Sequence, residues 1–322
     1  MKKIVLVFTL LLNLFAKDEN TIVIAGPIAS VSHPILYMIE QNALKDIGKK
    51  IEFKLWNNPD ELRALILKKE VDFIALPTNV AANLYNKGID LKLLNVSTWG
   101  ILGLVSRDKN LKNIEDFKNK EIIVPFRADM PDIIFQALIK KANLNIKKDF
   151  KLTYVATPID AMQMLILRRA DHALLAEPAI SIALRKTGSF PVKLIAPDLY
   201  RSVDLQKDWG RLFEVEPKIP QAGLAIIGET KEKEQLITKI LEEYEKAINW
   251  YKSNQKDASE LVVKTLPMLE VNGLADSIDY IKFENINAQN SKKDLEFFFS
   301  VLLENDSKII GGKLPDDSFY YK

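Results

Sequence analysis

At 322 residues the chain is long enough for two domains of ordinary size. With 48% hydrophobic and 27% charged residues it reads as a folded globular protein, and a net charge of +2 leaves no electrostatic footprint for nucleic acid or an anionic membrane. The absence of cysteine excludes disulfides, thiolate metal sites, a cysteine nucleophile and a lipid attached through cysteine.

The first sixteen residues, MKKIVLVFTLLLNLFA, have the pattern of a signal peptide: Lys2 and Lys3 as the basic start, an apolar stretch over 4–15, and Ala16 as cleavage residue, with Leu14 larger than ideal three positions before the cut. The apolar stretch is shorter than the ~20 residues that a membrane span needs. Cleavage takes the basic count from 45 to 43, equal to the 43 acidic residues. Export without a lipid anchor points to the periplasm.

TIVIA at 21–25 predicts a strand ended by Gly26-Pro27, followed by a helix from Ser32 or Pro34 through Leu44. A second strand is predicted over 51–56. Residues 91–96 and 101–105 bracket Trp99-Gly100 as two further strands. From Arg107 a second block begins: a strand at 122–124, a helix opening at Asp129 or Met130, and a strand at 151–155. Prolines 191, 197, 217 and 220 make 189–221 irregular. AGLAII at 222–227 is a buried strand, 231–257 one long amphipathic helix, and the remainder helical up to a turn at Gly311-Gly312. Strands alternating with helices predict a mostly parallel sheet with helices on its faces.

One pattern occurs twice. NPDELRALILKKEVDFIALPTNVAANLYNKG at 58–88 is matched by TPIDAMQMLILRRADHALLAEPAISIALRKTG at 157–188. Each copy starts a helix at a polar residue and a proline (Asn58-Pro59, Thr157-Pro158). Each then carries Leu-Ile-Leu and two basic residues, enters a short strand through an aspartate (Asp72, Asp171), and leaves it at Pro77 or Pro178. Two copies are too few for a solenoid and fit two similar α/β lobes with a ligand cleft between them.

Ligands of open sheets sit beyond the carboxyl ends of the strands. Those points are the loops from Pro27 to His33, Trp56 to Pro59, Pro77 to Asn79, Pro125 to Met130, Ala156 to Pro158, and Glu177-Pro178. Proline in a first helical turn also has a purely structural explanation. The candidate ligand-binding residues are Ser30, His33, Thr78, Asn79, Arg127, Thr157 and Glu177 for polar groups, and Trp56, Trp99, Phe126 and Trp209 for stacking. Arg127 suits a carboxylate or sulfonate, and equally well it pairs with Asp129 and Asp132 at the same helix start. Catalysis has little support: His33 and His172 are far apart, and no ligand cluster for zinc, P-loop, dinucleotide fingerprint or G-x-S-x-G elbow occurs. No cofactor is expected.

Five segments taken together, HPILYMIEQNAL, DELRALILKKEVDFIAL, LVSRDKNLKNIEDFKNKEIIV, ATPIDAMQMLILRRADHALLAEPA and IPQAGLAII, resemble periplasmic substrate-binding proteins of ABC importers. The resemblance is to the nitrate/sulfonate/taurine and thiamine-precursor group, over most of the chain. It implies a type II periplasmic-binding-protein fold, an α/β architecture of two lobes joined by two crossover strands. With it go lobe I at 17–100 plus 222–322, lobe II at 101–221, and hinges near 100–106 and 221–227. It further implies a monomer without nucleic acid or catalysis, which closes on a small molecule and delivers it to an inner-membrane permease and its ATPase. PFRADMP at 125–131 stands where many relatives hold an anion with small residues, so a small organic ligand, planar or carrying one acidic group, is expected rather than nitrate. The alternatives are an enzyme on the same fold, similar to a chorismate dehydratase, and a ligand-sensing subunit of a membrane receptor.

Overall fold

The structure is a computed structural model that describes residues 20–194, 198–228 and 233–322. The proposed signal peptide lies outside the described residues. In chain order the first half comprises β1 (Thr21–Gly26), α1 (His33–Glu40), β2 (Lys50–Leu55), α2 (Pro59–Leu67), β3 (Phe73–Pro77), α3 (Thr78–Asn86), β4 (Leu91–Leu93) and β5 (Asn95–Thr98). Next come β6 (Leu102–Ser106), β7 (Glu121–Pro125), α4 (Met130–Lys141), α5 (Ile146–Asp149), β8 (Lys151–Val155), α6 (Pro158–Ile166), β9 (His172–Ala176), α7 (Ala179–Gly188), β10 (Tyr200–Asp204) and α8 (Leu205–Phe213). The chain ends with β11 (Ala222–Ile227), α9 (Glu234–Ser253), α10 (Gln255–Thr265), α11 (Val271–Ser277), β12 (Phe283–Asn287) and α12 (Lys292–Asn305).

These strands form two sheets. One runs in the order β12-β5-β11-β3-β1-β2, with β4 also on β11; the other runs β10-β6-β9-β7-β8. In each, the first strand of a βαβαβ run lies between the second and the third, and an antiparallel strand follows the third: β2-β1-β3-β11 in one, β8-β7-β9-β6 in the other. Both antiparallel strands follow a passage of the chain from one sheet to the other, at 99–101 and 214–221. They make the sheets mixed where a mostly parallel one was expected.

The repeat explains this likeness. Its strands are β3 and β9, one in each sheet. Asn58 accepts from Asp60 N and Glu61 N at 3.0 Å, and Thr157 accepts from Asp160 N while Asp160 returns the bond, so each first helix is capped before its proline. Asp72 accepts from Val23 N at 2.8 Å, fastening β3 to β1; Asp171 stands 3.8 Å from the Arg107 guanidinium at the end of β6.

Alternation along the strands decides the core. Ile22, Ile24, Phe73 and Ala75 face α1, α9 and α10; Val23, Ala25, Ile74 and Leu76 face the other way, into a cluster continuous with Phe298 and Phe299 of α12 and with Ile122 and Val124 of the second sheet. The two halves also touch where α11 meets α7. A Cβ on Gly273 would lie 2.8 Å from Ile182 Cα, so only glycine lets the helices approach this closely, and Arg185 pairs with Asp276 at 2.6 Å.

Several expected elements differ. The first helix stops at Glu40 because Asn42 turns left-handed (φ 48). The stretch 189–221 holds β10 and α8, since its prolines flank these elements instead of interrupting them, and Asp204 caps α8 through Gln206 N and Lys207 N. The long helix is two, broken at Asn254. The C-terminal region, expected to be helical, contributes β12, which adds to β5 through Phe283 and Ile286.

Candidate functional site

Along the carboxyl edge of the seven-stranded sheet, five adjacent strands each bring one buried polar residue. Thr98 ends β5, Gln221 precedes the antiparallel β11, Asn79 opens α3 after β3, Ser32 follows β1, and Trp56 follows β2. The backbone ties them into one row: Gln221 N donates to Thr98 O at 2.9 Å, Thr78 N to Gln221 O at 3.0 Å, and Trp56 N to Gly26 O at 3.1 Å. A methyl group on Gly26 would overlap Ser32 Oγ, so glycine at the end of β1 makes room for that hydroxyl. Thr98 Oγ1, both ends of the Gln221 amide, Asn79 Oδ1, Ser32 Oγ and Trp56 Nε1 have no hydrogen-bond partner among the described residues. Each buried group left unsatisfied costs about 1–3 kcal/mol. A whole row at one sheet edge therefore leaves its partners to be supplied by water or by a bound molecule.

Opposite stand the loops of the five-stranded sheet. After β7, Phe126 and Ala128 take left-handed φ (55 and 61), and Ala128 N donates to Asp132 at 2.8 Å. Asp132 also accepts from Gln136 at 2.8 Å and from the Tyr154 hydroxyl at 3.1 Å; burial and that carboxylate push Tyr154 up to about 12. Asp129 caps Met130 N at 2.8 Å, and its own burial raises its pKa. The exposed Arg127 pairs with neither acid among the described residues; its guanidinium lies 5.2 Å from the centre of the Tyr154 ring.

The halves enclose a cavity of about 510 Å³. Asn79, Asn83 and Lys87 line it from one side, Phe126, Arg127 and Asp129 from the other. Asn79, Phe126 and Arg127 are thus brought together. Ser30 and Glu177 meet differently: Ser30 Oγ donates to Glu177 O at 3.5 Å, a contact between the halves. The Glu177 carboxylate, 2% exposed, accepts from Ser181 N and Oγ and is paired with Arg201, whose guanidinium lies over the Tyr280 ring. Burial raises the Glu177 pKa, and Arg201 draws it back down. A second cavity of about 580 Å³ beside this pair is lined by Asp208 and Arg211, which bond each other at 2.9 Å.

Other candidates are occupied by structural work. His33 is buried between the Tyr251 hydroxyl (2.9 Å) and Ile28 O (3.1 Å), and burial lowers its pKa to about 4. Thr78 Oγ1 donates to Pro220 O at 2.5 Å, tying α3 to the chain that enters β11. Thr157 is the cap of α6. Trp99 and Trp209, expected to stack on a ligand, lie in the core. Trp99 Nε1 donates to Val96 O and Glu284 O, and Trp209 packs among Phe213, Phe297 and Phe298, because each apolar ring buries more surface there. His172 is held by Ser106 Oγ at 2.9 Å. Ser32, Thr98 and Gln221 went unnoticed in the sequence. Ser32 lies in a marked loop, Thr98 precedes a singled-out tryptophan and Gln221 opens the AGLAII strand, but small neutral residues carry no chemical signature of their own.

The fold is shared with several solved structures. An ABC transporter from Parabacteroides distasonis superposes with a TM-score of 0.77 at 24% identity, covering 94% of this chain and 99% of that one. The periplasmic aliphatic sulphonate binding protein SsuA from Escherichia coli gives 0.67 at 16%, covering 93% of each chain. The periplasmic nitrate-binding protein NrtA from Synechocystis PCC 6803 gives 0.64 at 12%, covering 92% of this chain and 86% of that one. The chain has the two-lobed α/β fold of periplasmic binding proteins. No protein-family model matches it, and no curated protein matches it by sequence. No described helix is long and apolar enough to cross a membrane.

Proposed function

We propose that this protein is the solute-binding component of an ABC-type importer. It captures a small organic molecule between its lobes in the periplasm and delivers it to a membrane permease and its ATPase, as a monomer and without catalysis. The observation that carries this reading is the row from Thr98 to Trp56, whose buried polar atoms lack hydrogen-bond partners among the described residues, together with the cavity that Asn79 of this row lines opposite Phe126 and Arg127. Both histidines are engaged in internal hydrogen bonds, which supports a binder over an acid–base enzyme. The likeness in fold to sulphonate- and nitrate-binding proteins gives the same reading independent support.

In this proposal lobe I is 17–100 with 222–322 and lobe II is 101–221, and the lobes move about the two passages between the sheets. Native mass spectrometry of freshly purified protein tests the function. A co-purified small molecule that leaves on mild unfolding is the expected result. A protein that carries nothing, and binds nothing from periplasmic extract, contradicts it.

A further inference from the structure

We infer that Asp132 is a positioning residue of the binding site: its buried carboxylate holds the Phe126–Asp129 loop in the shape that lines the cavity opposite Asn79. The inference rests on the solute-binding reading above and names the residue that shapes one wall of that site.

All three donors of Asp132 lead to this wall. Oδ2 accepts from Ala128 N at 2.8 Å, and Oδ1 accepts from Gln136 Nε2 at 2.8 Å and from the Tyr154 hydroxyl at 3.1 Å. Ala128 and Gln136 line the cavity themselves. Tyr154 carries the Arg127 guanidinium over its ring, and its pKa, pushed up to about 12, keeps the hydroxyl a donor. Asp132 is 1% exposed and its donors are neutral, which costs a carboxylate more than a place at the surface.

The loop needs such a hold. Phe126 and Ala128 take φ of 55 and 61, where a side chain crowds the following carbonyl oxygen, and neither residue is glycine. Two backbone bonds close the loop in this shape, from Phe126 N to Val155 O at 3.2 Å and from Asp129 N to Phe126 O at 3.0 Å.

Helix capping alone does not account for the arrangement. Glu61 accepts from Asn57 N at 2.7 Å at the start of α2, and Asp160 accepts from Thr157 N at 3.0 Å at the start of α6. Both acids are exposed, and the residues just before those helices, 55–58 and 154–157, include none in the left-handed region. Of these three helix starts, α4 alone combines a buried acid with strained backbone in front of it, and α4 is the one whose preceding loop lines the cavity on the five-stranded side.

The test uses the full chain and two readouts. Hydrogen exchange follows the amides of Phe126 and Asp129, whose bonds close the loop without involving Asp132. Native mass spectrometry gives the share of protein that carries the co-purified molecule. Asp132→Asn should speed the exchange of both amides about tenfold or more, leave those of Ile134 to Leu138 within α4 as in wild type, and lower the share about fivefold or more. Adding Ala128→Gly, which accepts the left-handed backbone freely, should return both readouts towards wild type. Asp160→Asn, which removes the matching bond at α6, should change neither. Tyr154→Phe, a milder change that spares the carboxylate, should speed the loop exchange about threefold, and it decides the matter if Asp132→Asn does not fold. Wild-type exchange in these variants, an unchanged share in Asp132→Asn, no return on adding Ala128→Gly, or an equal effect of Asp160→Asn overturns the inference. A wild type that carries no molecule overturns the solute-binding reading instead, and the exchange of Phe126 and Asp129 still decides whether Asp132 holds the loop.

Discussion

The two sheets present carboxyl edges of similar topology and opposite chemistry. On the seven-stranded sheet the buried polar atoms of Ser32, Trp56, Asn79, Thr98 and Gln221 have no partner among the described residues. On the five-stranded sheet the corresponding groups are bonded within their own half: Asp132 to Ala128 N, Gln136 and Tyr154, Thr157 to Asp160, Glu177 to Ser181 and Arg201. The difference assigns unlike tasks to like architecture. One edge leaves five adjacent strands with an unpartnered buried group, whereas the other ties most of its groups together within its own half and leaves only Ser202 Oγ and Asp208 Oδ2 unpartnered among the described residues.

The comparison can be broken most forcefully at Glu177. Glu177→Ala leaves Arg201 beside a buried site without its carboxylate, and the loss of stability should reach about 3 kcal/mol or more. Denaturant unfolding measures it. A loss well under 1 kcal/mol would show that the five-stranded edge is not held together in this way.

His33 sharpens the comparison through pH. Its folded pKa of about 4 lies below the ordinary 6.5, so the unfolded chain binds the extra proton between those values. The stability due to the neutral, buried imidazole is therefore full above about pH 6.5 and is lost as pH falls towards 4, by about 3 kcal/mol. Thermal melts from pH 7.5 to 4.5 should show this acid limb, and His33→Gln should flatten it. An equal slope in the variant would assign the limb to other groups.

The smallest effect belongs to Arg127. It is exposed and touches the face of Tyr154, so Arg127→Ala should cost less than about 1 kcal/mol and change affinity for the co-purified molecule by less than about threefold. A loss of tenfold or more in titration calorimetry would move charge recognition to the five-stranded half.

The repeat made most of the fold legible. Its helix starts, buried strands and entering aspartates appear in both halves, because capping and alternation are local and leave a mark in composition. What escaped was set by long-range pairing. β10 and α8 fit between flanking prolines, and β12 joins β5 across nearly 190 residues of chain with little periodic signal of its own. The site divided along the same line. Asn79, Phe126 and Arg127 do share one cavity. Trp99 and Trp209 drew notice as large aromatic residues, but their size is spent on packing. Ser32, Thr98 and Gln221 stand out only once the fold shows that no described residue satisfies them.

A matched pair of substitutions tests the contrast between the edges most directly. Thr98→Val and Thr157→Val each replace one hydroxyl by a methyl of similar volume, the first in the unpartnered row and the second in a capped helix start. With the molecule released from natively purified protein as titrant, Thr98→Val should lose about tenfold in affinity with its melting temperature unchanged or raised. Thr157→Val should lose about 1 kcal/mol of stability and keep its affinity within about twofold. The reverse pattern, with Thr98→Val destabilised and binding normally while Thr157→Val binds poorly, would contradict the assignment of recognition to the seven-stranded edge.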